Sequence, residues 1–268
     1  GMKTTETIMW NPGIWVATLL LLVMPIALVW AEAPGQLESV DSDLPDMASI
    51  DDVATKKQVF FDFLNPIIQR VNQRIVAERI WLLQMQTDLD QGKTAAPWQT
   101  SYLAQLGRDY EVEETPGSDA YFELMLNRVD VIPASLVLAQ AANESAWGTS
   151  RFAVEGNNLF GQWCFAEGCG LVPAGRPEGE RYEVKLFEDV AESVASYFQN
   201  VNTHPPYRDM RNIRSELRYL GEPASSLMLV WGLEGYSIRG EAYIRELTEM
   251  ITHNELTEYD QRPFYAAN

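Results

Sequence analysis

The sequence predicts a mostly helical α+β protein with one small β-hairpin lobe, and three observations carry this. Apolar residues recur at helical spacing over long stretches, as at Phe60, Phe63, Ile67, Val71, Ile75, Ile80 and Leu83. Two short aromatic runs, 157–164 and 181–187, flank a Gly/Pro-rich stretch and read as an irregular hairpin. Setting aside an apolar N-terminal segment and an acidic linker leaves about 215 of the 268 residues, enough for one sizeable core. Hydrophobic residues at 46% and charged residues at 22% exclude wholesale disorder and a polytopic membrane protein.

Residues 13–31 carry no charge, a length that fits either a secretory signal core or a single spanning helix. Ala31 and Ala33 offer a small-residue cleavage pattern, and Lys3 is the only base before Lys56, so the body is expected to be exported. Residues 1–31 are thus a signal peptide or a membrane anchor. Residues 32–54 form an acidic linker: Glu32, Glu38, Asp41, Asp43, Asp46, Asp51 and Asp52 stand there with no base, and Pro34 and Pro45 suit a solvated tether. In an oxidising compartment Cys164 and Cys169 are expected to pair. A loop that short gains about 2 kcal/mol from closure. A free nucleophilic Cys164 is the alternative.

Residues 55–118 form a helical extension. Its first helix runs from Lys56 to about Gln91, kinked or split at Pro66, and is read as core-packing before partner-binding. Trp98–Tyr110 and Asp119–Arg128 follow as shorter helices around the turn at Thr115–Ser118. Between Pro133, at the first helical position, and Gly148, past the end, lies a run so apolar that the helix should be buried. Gln140, Asn143 and Glu144 stand out in it. After the hairpin, helices resume at Asp189–Asn202, restart beyond His204-Pro205-Pro206, and end with Tyr243–His253; residues 257–268 are a tail.

A net charge of −18 excludes nucleic acid as a partner and gives no electrostatic attraction to an anionic wall. His204 and His253 are the only histidines, and no His-Glu-x-x-His or thiolate cluster is present, so neither metal nor cofactor is expected. Glu144 falls in the last turn of its apolar helix. Desolvation and the negative helix end both disfavour its anion, which suits a general acid. Pairing with an arginine such as Arg151 is the alternative.

The string Ala139-Gln140-Ala141-Ala142-Asn143-Glu144-Ser145-Ala146-Trp147-Gly148, followed by Asn157-Asn158-Leu159-Phe160-Gly161, resembles the signature of the family 73 glycoside hydrolases. These are lysozyme-like N-acetylglucosaminidases that include the flagellar peptidoglycan hydrolase. Asn158 to Phe165 with Cys169, and Asn202-Thr203-His204-Pro205-Pro206-Tyr207, are similar to the Bax-type proteins of Gram-negative bacteria. Gly235-Tyr236, then Tyr243, Leu247 and Ile251, resemble the family's Gly-Tyr-Ala segment with about one residue more. The resemblance covers residues 119–256. It implies a lysozyme-like domain, Glu144 as general acid, Tyr236 lining the cleft in the catalytic set, and Asn158 and Phe160 shaping an N-acetyl-sugar subsite. Trp147 and Trp163 could stack on sugar, with core packing favoured for Trp147.

A second carboxylate normally activates water or captures the oxocarbenium ion. The candidates are Glu167, Glu178, Glu180 and Glu183. Glu183 is preferred for its place on the return strand, and Glu178 follows, on a loop that could close over substrate. The sugar's own acetamido group is the alternative. The expected activity is cleavage of the β-1,4 bond between N-acetylglucosamine and N-acetylmuramic acid in peptidoglycan glycan strands. The site would lie in the periplasm or on the periplasmic face of the inner membrane, with residues 13–31 as a possible tether. A lytic transglycosylase and a catalytically silent wall-binding or scaffold protein are the competing readings.

Overall fold

The computed structural model describes residues 42–260. The expected leader or anchor at 13–31 lies outside the described residues, as do the start of the linker and the tail beyond 260. Among the described residues no helix is long and apolar enough to cross a membrane.

The helices are α1 (Val53–Asp90), α2 (Pro97–Asp109), α3 (Asp119–Arg128), α4 (Ala134–Glu144), α5 (Arg151–Gly156), α6 (Val190–Thr203), α7 (Arg208–Tyr219), α8 (Ser226–Leu229) and α9 (Glu241–His253). Strands β1 (Trp163–Cys164), β2 (Gly170–Leu171) and β3 (Glu183–Lys185) form an antiparallel sheet in the order β1-β3-β2. This is the mostly helical α+β arrangement expected, with two differences in detail. The lobe has three strands instead of a hairpin, because Gly170-Leu171 adds to the free edge of β3. That approach is so close that a Cβ at Gly170 would sit 2.1 Å from the Val184 carbonyl oxygen.

Pro66 does not split α1, which is continuous through it. An interior proline costs about 3 kcal/mol. Phe60, Phe61, Leu64, Ile67 and Ile68 are all buried around it, at roughly 1.5–3 kcal/mol each, so packing outweighs the lost hydrogen bond.

The expected solvated tether is also corrected where it is described. Ser42 and Met47 are buried, Leu44 and Ile50 pack on the core, and the Val190 amide donates to the Ser42 carbonyl. At the other end, residues 257–260 dock. Tyr259 packs on Phe61 with ring centroids 5.8 Å apart, and Asp260 accepts from the Ser135 amide and hydroxyl at the start of α4.

α4 is the central element, with Ala134 through Ala142 all buried. The polar groups around it hold it in place. Asn72 of α1 donates to the Ile132 carbonyl at 2.9 Å and accepts from the Ile132 amide at 3.1 Å. Asp130 receives a bidentate pair from Arg218, with Arg79 and Arg214 at 3.6 and 3.8 Å. Burial alone would raise the Asp130 pKa, yet these arginines hold it below the usual carboxylate range.

Candidate active site

Pro133, with φ of −52° and ψ of 134°, is the residue before the first helical position of α4, one step earlier than expected. The helix also ends sooner: Glu144 is its last residue, and Gly148 lies four positions on. Ser145 explains the stop. Its hydroxyl donates to the Ala141 carbonyl and accepts from the Gly148 amide at 2.8 Å, while Ala146 and Trp147 take left-handed φ of 49° and 60°. Glu144 is therefore aimed from a helix terminus.

Burial pushes the Glu144 carboxyl above its ordinary range, and the nearby Glu246 anion adds to this. Hydrogen bonds from Tyr243 and Asn143, and the Arg239 charge, pull the other way without reversing it. The Tyr243 bond ends a directed relay. The Tyr197 hydroxyl donates to Gln140 Oε1, Gln140 Nε2 donates to the Tyr243 hydroxyl at 3.0 Å, and Tyr243 in turn stabilises the Glu144 anion. Gln140 and Tyr197 are fully buried, so the bonds that hold Tyr243 beside the acid are shielded from water.

Beneath the carboxylate lies a bed of tyrosines. Tyr236 and Tyr243 stack with centroids 5.8 Å apart, and Tyr207 lies 5.6 Å from Tyr236. Burial raises the pKa of all three, with the Glu144 anion acting in the same direction, so the bed stays neutral. Tyr236 is half-buried and its hydroxyl donates to the Phe160 carbonyl at 2.9 Å. It fastens the 158–161 turn over the bed. Gly161, with φ of +65°, closes that turn opposite the acid; a Cβ there would lie 3.9 Å from Glu144 Oε2. The bare glycine leaves the face of the acid open.

Asn158 and Phe160 are not where side chains could meet a sugar. Asn158 Nδ2 donates to the Gln162 and Lys185 carbonyls, and Oδ1 accepts from the Phe160 and Gln162 amides. That uses all four of its hydrogen-bonding positions. Phe160 is buried and stacks on Tyr197 at 4.2 Å. Both shape the turn from below, because a tight turn beside a cleft needs its backbone groups paired. Trp147 packs edge-on against Phe60 and Phe61 at 5.8 and 5.5 Å, as core packing required.

The β lobe carries the other predicted residues. Trp163 is 56% exposed and stacks on Tyr182 at 4.4 Å, presenting a flat aromatic surface. Glu183 lies on β3 opposite Cys164, and its two oxygens accept from the amides of Gly168 at 3.1 Å and Gly170 at 2.8 Å. Those amide bonds hold its carboxylate below the usual range. They flank Cys169, whose disulfide to Cys164 closes the same loop. Glu167, Glu178 and Glu180 are exposed on loops. Among the described residues no hydrogen bond joins Glu144 to Glu183, Glu178 or Trp163. Cys164, Cys169 and Glu183 do cluster as a metal site would, but both sulfurs are bonded to each other and offer no thiolate.

Sequence reasoning did not place Tyr197, Tyr207, Tyr243 or Gly161 in the site. The one signal was Gln140, an amide alone in an apolar run and one helical turn before the acid.

The fold is that of a mostly helical α+β, lysozyme-like domain with a small β lobe, and it carries a carboxylic acid at the end of a buried helix. Residues 120–256 match the glucosaminidase family, described as mannosyl-glycoprotein endo-beta-N-acetylglucosaminidase. The chain belongs to that family, family 73 of the glycoside hydrolases, and is a peptidoglycan-related glycosidase of it. It is 34% identical over 215 residues to the protein bax of Escherichia coli (strain K12), across 80% of this chain and 75% of that one. This bears out the Bax-type resemblance. No solved structure matches the chain.

Proposed function

We propose that the protein hydrolyses the β-1,4 bond on the reducing side of N-acetylglucosamine in peptidoglycan, with Glu144 donating the proton to the leaving oxygen. Glu183 is the ionised partner, activating water or receiving the oxocarbenium carbon. The observation that carries this is the opposite displacement of two carboxyl groups. Burial shifts Glu144 toward its protonated form, and two amides shift Glu183 toward its ionised form. Such a division assigns acid and base roles. Tyr236 positions the turn, and the exposed Trp163–Tyr182 surface offers a sugar platform. The bonded cysteines and a wall substrate support an exported protein at the periplasmic side, with residues 13–31 as leader or tether.

A lytic transglycosylase is the second reading, favoured by both Glu183 oxygens being engaged by backbone amides. Digestion of purified peptidoglycan by wild type and Glu144→Gln, with products read by mass spectrometry, separates the two. Reducing N-acetylglucosamine ends support hydrolysis. Anhydro-muramyl ends, lighter by one water, support transglycosylation. Absence of either from wild type overturns both.

A further inference from the structure

Past the acid, the turn after α4, the C-terminal half of α9 and the start of α1 enclose an open recess of about 640 Å³, lined by Lys57, Trp147, Glu246, Glu249, His253 and Asn254 among others. That size falls within the ~300–1,000 Å³ of ligand pockets. Glu144 is not one of its lining residues, but Trp147 is three residues beyond Glu144, and Glu246 both lines the recess and acts electrostatically on the Glu144 carboxyl. The Lys57 wall comes from α1, outside the residues that match the family.

The recess holds charges of both signs that form no ion pair among the described residues. Lys57 Nζ donates to Asn254 Oδ1 at 2.8 Å and lies 5.2 Å from the Trp147 ring centroid. Among the described residues no carboxylate forms an ion pair with it, in a chain with 38 acids and 20 bases. Glu249, exposed on the same rim, likewise has no cation partner among the described residues. Trp147 is held rigidly by Phe60 and Phe61 behind it. A neutral glycan would make use of the aromatic wall and leave both charges idle. A zwitterionic peptide would use all three.

We propose that this recess is the subsite for the stem peptide carried by the muramyl sugar. Lys57 takes a D-glutamyl carboxylate, Glu249 the ammonium of the diamino acid, and Trp147 the flat amide backbone. The proposal rests on the peptidoglycan reading of the neighbouring acid. It makes the N-terminal helix a specificity element, since a body of net charge −18 would otherwise repel a peptide rich in carboxylates.

The test has two arms. In the first, catalytically silenced Glu144→Gln protein is titrated with N-acetyl-L-alanyl-γ-D-glutamyl-meso-diaminopimelate, and the Trp147 indole N–H is followed by NMR. The proposal expects a saturable shift at Trp147, with affinity weakened about tenfold by adding Lys57→Glu, the size of one lost charge-assisted bond. Adding Glu249→Lys instead, on an exposed rim position where folding is not at stake, should weaken it as well. No shift at Trp147, or peptide affinity unchanged by both substitutions, overturns the proposal. In the second arm, Lys57→Glu should lower kcat/KM on peptide-bearing strands about tenfold and leave amidase-stripped strands unchanged. An equal fall on both substrates makes Lys57 structural and overturns it. If wild type cuts neither substrate the hydrolase reading fails, while the titration still decides the recess.

Discussion

Tyr243→Phe removes one oxygen from the middle of the relay that aims the acid, and its consequences can be worked from the geometry. Tyr243 is 1% exposed and Gln140 fully buried, so losing the hydroxyl strands Gln140 Nε2 with no acceptor. A buried donor left unpaired costs about 1–3 kcal/mol. For a domain of this size each kcal/mol moves Tm by about 2–4 °C, so the fall should be about 2–12 °C by calorimetry. The catalytic effect has a definite sign. Burial raises the Glu144 pKa, and the Tyr243 hydroxyl pulls it part of the way back by bonding the anion. Without that hydroxyl the carboxyl stays protonated to higher pH. The alkaline limb of kcat/KM on peptidoglycan should therefore move upward in pH, while kcat at the optimum falls because the acid is no longer held in one orientation. An alkaline limb that stays put or moves to lower pH, or a Tm equal to wild type, would refute the relay.

Five further outcomes are expected. Glu144→Gln should lose about 10²- to 10⁴-fold in turnover, measured as released reducing ends. Because its folded-state pKa is raised, the Glu144 anion costs stability as pH rises through that value; Glu144→Gln should match wild type in weak acid and be the more stable protein at alkaline pH. Glu183→Gln should lower kcat with little change in KM, whereas Glu167→Gln, Glu178→Gln and Glu180→Gln stay near wild type; a fall confined to one of those three moves the role there. Reduction of Cys164–Cys169 should add two daltons and cost about 2 kcal/mol or less in stability, yet cost more in activity, since the loop it closes supplies the Gly168 and Gly170 amides to Glu183. Asp130→Asn leaves Arg79, Arg214 and Arg218 without their buried counter-charge and should cost about 3–5 kcal/mol, read as a lowered denaturation midpoint.

The parts of this protein that sequence alone determines are those set by neighbours along the chain. The alanine-rich run with one glutamate at its end specifies a buried helix terminating in an acid, because helix formation and the terminal field depend on residues within a few positions. The cysteines at 164 and 169 pair for the same reason: five positions of separation keep them within bonding reach in most conformations. The aromatic runs mark the lobe, and periodicity marks α1, α3, α6 and α9 to within a residue or a few at either end. Tertiary structure decided what stands around the acid. Gln140 meets Tyr197 and Tyr243 from 57 and 103 residues away, and no local pattern distinguishes those tyrosines from other core aromatics. Asn158 and Phe160 could have faced sugar or core. Only the turn's need to pair its buried amides, and Tyr197 lying ready to stack, turned them inward. The acidic stretch 42–52 reads as solvated because charge dominates its composition, but a handful of its side chains, Met47 foremost, find a cavity in the core. Which few residues of a polar segment bury is settled by the shape of the surface they meet, and that shape is made by the rest of the fold.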